Sequence, residues 1–169
     1  MKTAGLTMIL LLLVLVPHTL VAQSPDDPEI IKAKEETAVV FDLVRFFGFL
    51  GTMEEEQPTL ALSRDQLDEV YDIMNKIRAT ERLEAEMAKE ILVQLEDEVL
   101  SPDQLMEVDQ LFIAREAERT VSTGQGGGEG GLITSYIAGG PFNPSLDASK
   151  TMGKDFAAFY KSVAERVGK

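Results

Sequence analysis

One stretch near the start of the chain is apolar on nearly every side, which strongly limits how the chain can fold. It reads AVVFDLVRFFGFLGTM, from Ala38 to Met53, and only Asp42 and Arg45 interrupt it. Their i, i+3 spacing would place the two charges side by side on a helix. We therefore predict a helix from about Pro28 to Leu50, with Gly51 near its end.

A helix that is apolar on all sides must be covered on all sides. One interpretation is a central core helix, surrounded by other helices of the same chain. The alternative is a contact surface for a second subunit or a polypeptide client, with Phe46, Phe47 and Phe49 as the contact residues. A homodimer would give such a helix somewhere to bury its apolar sides.

The first 22 residues have the pattern of an export signal. Lys2 supplies a positive charge, an apolar run extends from Leu6 to Val16, and Ala22 is a small residue before a cleavage point. The run is shorter than the ~20 apolar residues that a membrane-spanning helix needs. We expect cleavage of residues 1–22 and a mature protein that is periplasmic or otherwise exported. Membrane contact is expected only if the signal stays attached.

The mature sequence lacks the residues on which many catalytic and metal sites are built. The chain has no cysteine, and its single histidine, His18, lies inside the predicted signal. Zinc or copper sites based on His or Cys, and nucleophiles activated by a histidine base, are therefore excluded. We expect no catalytic residues, no metal ligands, no cofactor and no enzymatic activity.

Charge is distributed unevenly along the chain. Residues 24–121 hold 25 acidic against 10 basic residues, whereas residues 132–169 hold 3 acidic against 5 basic. An acidic surface repels nucleic acid and anionic lipid, so no nucleic-acid partner is expected. The mildly basic end of the chain would instead be attracted to the acidic body.

A six-residue phrase occurs twice, as LSRDQL and then as LSPDQL. In each copy the serine hydroxyl can accept the N–H of the glutamine, whose side chain can reach back to the N–H of the serine. This is a capping box, and the two leucines fit the positions of a hydrophobic staple. Each copy therefore predicts a helix start and requires no catalytic role. The motif residues are Leu62, Ser63, Gln66 and Leu67 in the first copy and Leu100, Ser101, Gln104 and Leu105 in the second.

Apolar residues at helical spacing predict three further helices after the first. The second begins at Arg64, and a turn near Thr80 separates it from a third that ends near Val99, although one long bent helix would also fit. The fourth begins at Pro102. The chain is thus predicted to be all-α, with a four-helix body at residues 28–121.

Composition changes sharply after the body. Glycines dominate residues 122–131, which we interpret as a linker, and residues 132–169 form a tail. The tail ends in an amphipathic helix whose apolar face runs from Met152 to Val167. Phe156 and Phe159 would anchor this helix, either on the acidic body of the same or a neighbouring chain, or on a partner.

The repeated phrase resembles the LTxxQ motif of the periplasmic Spy/CpxP-like proteins, with serine in place of threonine. The resemblance covers roughly residues 28–120 and implies a small, exported, all-helical protein that acts as an ATP-independent chaperone or envelope-stress modulator. The acidic body departs from the basic client surface of the chaperones in that family. The PFNP turn, residues 141–144, also resembles a group of uncharacterised exported proteins with a Gly-rich stretch and a terminal helix.

We expect from these features an exported, non-catalytic protein that binds a polypeptide client or an envelope protein. The alternative is a structural or assembly subunit of the cell envelope that docks through its terminal helix.

The mature protein is predicted to bind neither Zn²⁺ nor Cu²⁺ tightly, because it offers no histidine or thiolate ligand. Titration calorimetry on protein without a purification tag will measure this. A submicromolar dissociation constant for either ion would contradict the prediction.

Overall fold

The computed structural model describes residues 27–121 and 129–169 and is all-α over those ranges, as the sequence predicts. The predicted export signal at residues 1–22 and most of the predicted linker, residues 122–128, lie outside the described residues. None of the helices in these ranges is long and apolar enough to span a bilayer.

Six α-helices follow one another in the described part of the chain, and short helical turns connect some of them. A π-helical turn, Leu95–Val99, continues the third helix, and 3-10 turns at Pro58–Leu60 and Pro144–Leu146 precede the second and sixth. The helices are α1 (Pro28–Glu56), α2 (Arg64–Ala79), α3 (Ala85–Gln94), α4 (Pro102–Val121), α5 (Glu129–Ile137) and α6 (Thr151–Val167).

Helix α1 lies at the centre of the fold, and α3, α4, α5 and α6 all pack against it. Phe46 and Phe47 are buried, and the ring of Phe47 meets Phe156 of α6 edge to face, with 5.3 Å between ring centroids. The apolar helix is therefore covered by its own chain. This corrects the alternative in which Phe46 and Phe47 contact a client or a second subunit, because neither ring is accessible in the folded chain.

Helix α1 is longer than predicted, because its glycines serve packing and do not end the helix. A Cβ on Gly51 would lie 3.3 Å from Cδ2 of Phe159, and one on Gly48 would lie 3.1 Å from Cβ of Asp155. The two glycines thus allow α6 to cross α1 closely. The helix ends only at Glu56, just before a proline that cannot continue it.

Helices α2 and α3 are separate, with the turn near Thr80 that the sequence predicts. The break is held by a distant segment of the chain. Phe142 N–H donates to Glu81 O at 3.0 Å, and Leu83 N–H donates to Phe142 O at 2.7 Å. The side-chain amide of Asn143 donates to the carbonyl oxygen of Thr80 at 2.7 Å. Main-chain groups that a continuous helix would have paired internally are satisfied across this contact instead.

Helix α5 begins at Glu129, within the segment that the sequence predicts as linker. The glycines at its start suggested a flexible segment, but four apolar residues follow at helical spacing. Tyr136 is buried, and its ring lies edge to face on Phe142, with 4.9 Å between centroids. Burial and a hydrogen bond to Glu84 raise the pKa of Tyr136 to about 12. The apolar residues of α5 are Leu132, Ile133, Tyr136 and Ile137.

Helix α6 docks on α1 and α2 of the same chain, which is one of the dockings that the sequence predicts. Phe156 and Phe159 are its buried anchors, so they are not exposed contacts for a partner. The end of α6 is also tied to the body by charge. The Arg166 guanidinium binds both carboxylate oxygens of Glu54, at 2.9 and 2.7 Å, and Arg64 donates to the carbonyl oxygen of Val167 at 3.1 Å.

Gly153→Ala should destabilise the protein by about 1–3 kcal/mol, since overpacking at a close contact has that cost. The added methyl group would overlap the carbonyl oxygen of Asp147, which is backbone and cannot swing aside. Chemical denaturation followed by circular dichroism measures the effect. Gly131→Ala is the control, since nothing lies within 4 Å of that position. Equal stability of the two variants would contradict the prediction.

Candidate functional site

The fold brings both copies of the repeated phrase together at the starts of α2 and α4. In the first copy, Ser63 Oγ accepts the N–H of Gln66 at 3.3 Å, and Gln66 Oε1 accepts the N–H of Ser63 at 2.9 Å. In the second copy, the corresponding distances between Ser101 and Gln104 are 3.3 and 2.8 Å. Each helix therefore begins with a complete capping box.

The two glutamine side chains also bond to each other, 38 residues apart in sequence. Gln66 Nε2 donates to Gln104 Oε1 at 2.7 Å, and Gln104 Nε2 donates back to Gln66 Oε1 at 3.3 Å. Each amide also donates to a main-chain carbonyl oxygen that lies just before the other copy of the phrase. Gln66 Nε2 donates to Val99 O at 2.8 Å, and Gln104 Nε2 donates to Leu60 O at 3.0 Å. We call this arrangement the glutamine junction.

Every hydrogen-bonding position of both amides is used in the glutamine junction. A side-chain amide has two donors and two acceptor positions, and each glutamine fills all four. The carbonyls of Val99 and Leu60 end a π-helical and a 3-10 turn, where helices leave acceptors unpaired. The junction thus joins the starts of two helices to the ends of two turns. It has no open position for a ligand, so its role is structural.

The leucines of the phrase face the core around the junction. Leu62, Leu67 and Leu100 are buried and Leu105 is half-buried, while Gln104 itself is only 4% exposed. The sequence predicts the capping but not the pairing. The sequence did hold a signal for this pairing. Both copies have glutamine at a position where a capping box accepts glutamate equally well. Of these two side chains, only the glutamine amide can donate as well as accept, because an ionised glutamate only accepts.

A second feature is a groove of about 840 Å³ between α1, α4 and α6, which we call the α1–α4–α6 groove. One side of α1 forms its floor, the second half of α4 one wall, and the start of α6 the other. The floor residues are Asp42, Arg45, Gly48, Phe49, Thr52 and Glu56; the walls are Leu111, Phe112, Ala114, Arg115, Glu116 and Glu118 from α4 and Thr151, Met152 and Asp155 from α6.

The groove combines an apolar patch with a charged rim. The rings of Phe49 and Phe112 lie 4.5 Å apart between centroids, and Leu111 and Met152 extend the patch on either wall. Five carboxylates and two guanidinium groups line the rest of the groove. Two pairs form within this set, Asp42 with Arg45 at 3.1 Å and Arg115 with Glu118 at 3.2 Å. The predicted i, i+3 pair on α1 thus lies on the groove floor.

The side chains of the groove suit binding better than covalent chemistry. No group of three or more His, Cys, Asp or Glu residues is placed to hold a metal ion in residues 27–121 and 129–169. An apolar centre with charges around it is typical of a surface that receives part of a polypeptide.

Of the five aromatic residues predicted as client or partner contacts, only Phe49 lines the groove. Phe46, Phe47, Phe156 and Phe159 belong to the core. The groove was not predicted, because it depends on how α4 and α6 diverge over α1. Spacing along a single helix carries no information on that angle.

Comparison with models of protein families, with curated proteins and with solved structures finds no match to the chain. The resemblance to the LTxxQ proteins therefore stays a prediction that rests on the repeated phrase.

Gln104→Glu should cost about 1–3 kcal/mol of stability, the range for leaving a buried polar group unpaired. Glutamate can serve the capping box equally well, but it cannot donate to Leu60 or Gln66 and would bring a charge to a site that is 4% exposed. Denaturant unfolding measures the cost. Gln110→Glu on the exposed side of α4 is the control. If both variants are equally stable, the two glutamines act only as caps.

Proposed function

We propose that this protein is an exported, non-catalytic polypeptide-binding protein and that a segment of its client lies in the α1–α4–α6 groove. The observation that carries the proposal is the half-buried apolar patch of the groove, where Phe49 on the floor meets Leu111, Phe112 and Met152 on the walls, beside charged residues. The resemblance to the LTxxQ proteins supports the same class of function. Within that class it implies an ATP-independent chaperone or an envelope-stress modulator.

The shape of the groove favours part of a polypeptide over a compact small molecule. Asp42 and Glu56 mark the two ends of the floor on α1. The 14 helical steps between these two residues span about 21 Å at 1.5 Å per residue. A segment of that length can place apolar side chains on Phe49 and Phe112 and direct its polar side chains toward the rim.

The charges of the groove favour a cationic client. Carboxylates outnumber guanidinium groups by five to two along the lining, and Glu56 and Asp155 stand exposed at the rim. Complementary charges guide association and exclude partners of the same sign. An acidic groove of this kind fits the departure from the basic client surfaces of the LTxxQ chaperones, because it would select different segments.

The alternative function, an envelope subunit that docks through its terminal helix, has less support. The apolar face of α6 is buried against α1 and α2, with Phe156 and Phe159 inside the core. A partner would have to displace α6 to reach these side chains. The groove is open without any such rearrangement.

A labelled amphipathic Leu/Lys peptide of about 14 residues should bind the mature protein, and a Leu/Glu peptide of equal length should not, because the rim is acidic. Fluorescence anisotropy measures both. Reversing the rim charges with Glu56→Lys and Asp155→Lys together should weaken binding about tenfold, or 1.4 kcal/mol. Met152→Gln should also weaken it, since a polar group would enter the apolar patch.

Two controls separate the groove from general attraction to an acidic chain. Glu69→Lys and Glu90→Lys together make the same change in charge on exposed surface outside the groove, and Ile113→Gln alters an apolar side chain that is 70% exposed on α4. These variants should bind as the unmodified protein does. Equal loss in the groove and control variants would show that the peptide is held by net charge alone, and the proposal would fail.

A further inference from the structure

Two tyrosines from different helices stack on each other at the contact between α2 and α6. The rings of Tyr71 on α2 and Tyr160 on α6 are 5.6 Å apart between centroids and only 19° from parallel. Both side chains are partly exposed to solvent. One phenol ring thus lies over the other, although the two residues are far apart in the sequence.

Polar neighbours hold the two phenols in place. The Tyr160 hydroxyl donates to Asn75 Oδ1 at 2.9 Å, and the guanidinium carbon of Arg78 lies 3.9 Å from the centroid of the Tyr160 ring. The interaction between the two hydroxyl groups lowers the pKa of Tyr71 and raises the pKa of Tyr160. Tyr71 is therefore the phenol that gives up its proton more readily.

The composition of the chain directs one-electron oxidation to tyrosine, while its seven methionines can only take up oxygen. The sequence contains no cysteine and no tryptophan, and only three tyrosines. The third, Tyr136, is buried and lies edge to face on Phe142. Its hydroxyl donates to Glu84 at 3.0 Å. Tyr71 and Tyr160 are thus the tyrosine pair that combines access to solvent with contact between rings.

We propose that Tyr71 and Tyr160 form an oxidative cross-linking site that joins α2 to α6 covalently as dityrosine. The oxidant is hydrogen peroxide used by a haem peroxidase, which removes one electron and one proton from each phenol. The two phenoxyl radicals form a carbon–carbon bond between ring positions next to the hydroxyl groups. The hydrogens on those two carbons then move to the phenol oxygens and restore both rings. The chain loses two hydrogen atoms in all, and one peroxide becomes two waters.

The fold favours this bond over links between chains. Radicals held in contact react as an intramolecular pair, with a large gain in effective concentration over separate molecules. The link would close the chain between residues 71 and 160 and fix α6, whose first turn forms one wall of the α1–α4–α6 groove. The inference rests on the stacked rings alone and holds whatever binds in the groove.

The test treats dilute, purified full-length protein with hydrogen peroxide and horseradish peroxidase, then maps the digested product by mass spectrometry. The expected product is a monomer in which the peptides of Tyr71 and Tyr160 are joined with the loss of two hydrogen atoms. Its yield should not depend on protein concentration. Methionine oxidation is distinguished because it adds oxygen and joins no peptides.

Three phenylalanine variants keep the aromatic packing and remove one hydroxyl each. Tyr71→Phe and Tyr160→Phe should each abolish the link, and Tyr136→Phe should leave it unchanged. Unfolding the protein in urea before oxidation should lower the yield of the specific link about tenfold, because the two phenols are then no longer held together. The linked protein should also unfold at a higher denaturant concentration than the unlinked one. Links mainly between chains, links through Tyr136, or an unchanged yield after unfolding would each overturn the proposal.

Discussion

The hydrogen-bond exchange between Gln66 and Gln104 fixes the geometry on which the rest of the molecule depends. It ties the start of α2 to the start of α4, although few other contacts join these two helices. Helix α4 packs mainly on α1, and most of its second half is exposed. The junction therefore holds the start of α4 in place, and packing on α1 supports the rest of the helix. The second half of α4 then forms one wall of the α1–α4–α6 groove.

A central apolar helix imposes the second constraint. Helix α1 needs cover on all sides, yet the chain leaves one strip of it open where Asp42, Arg45 and Phe49 lie. The paired charges keep that strip compatible with water, while Phe49 gives it an apolar centre. The same helix thus supplies the core and the floor of the groove. Gly48 and Gly51 allow this double use, because they let α6 pack closely beside the strip.

The sequence predicted the features that depend on neighbouring residues. The helix starts at Ser63 and Ser101, the turn near Thr80 and the apolar anchors of α6 all follow from local spacing or capping chemistry. The features it did not predict depend on distant parts of the chain. The bond between two capping glutamines, the pairing of Phe142 with residues 81–83 and the role of Gly51 in helix packing are examples. Of the groove, only Phe49 and the pair of Asp42 with Arg45 were anticipated, because the walls come from elements whose relative angle no local pattern encodes.

The docking of α6 on α1 has a consequence for the order in which the chain folds. The two helices are separated by all the other described helices, so α1 leaves the ribosome long before the helix that covers Phe47. At 5–20 residues per second, synthesis of the intervening chain takes roughly 5–20 s. During that time an apolar surface on α1 stays open to aggregation or to capture by cellular holdases. The late helix thus delays completion of the core until α6 has been made.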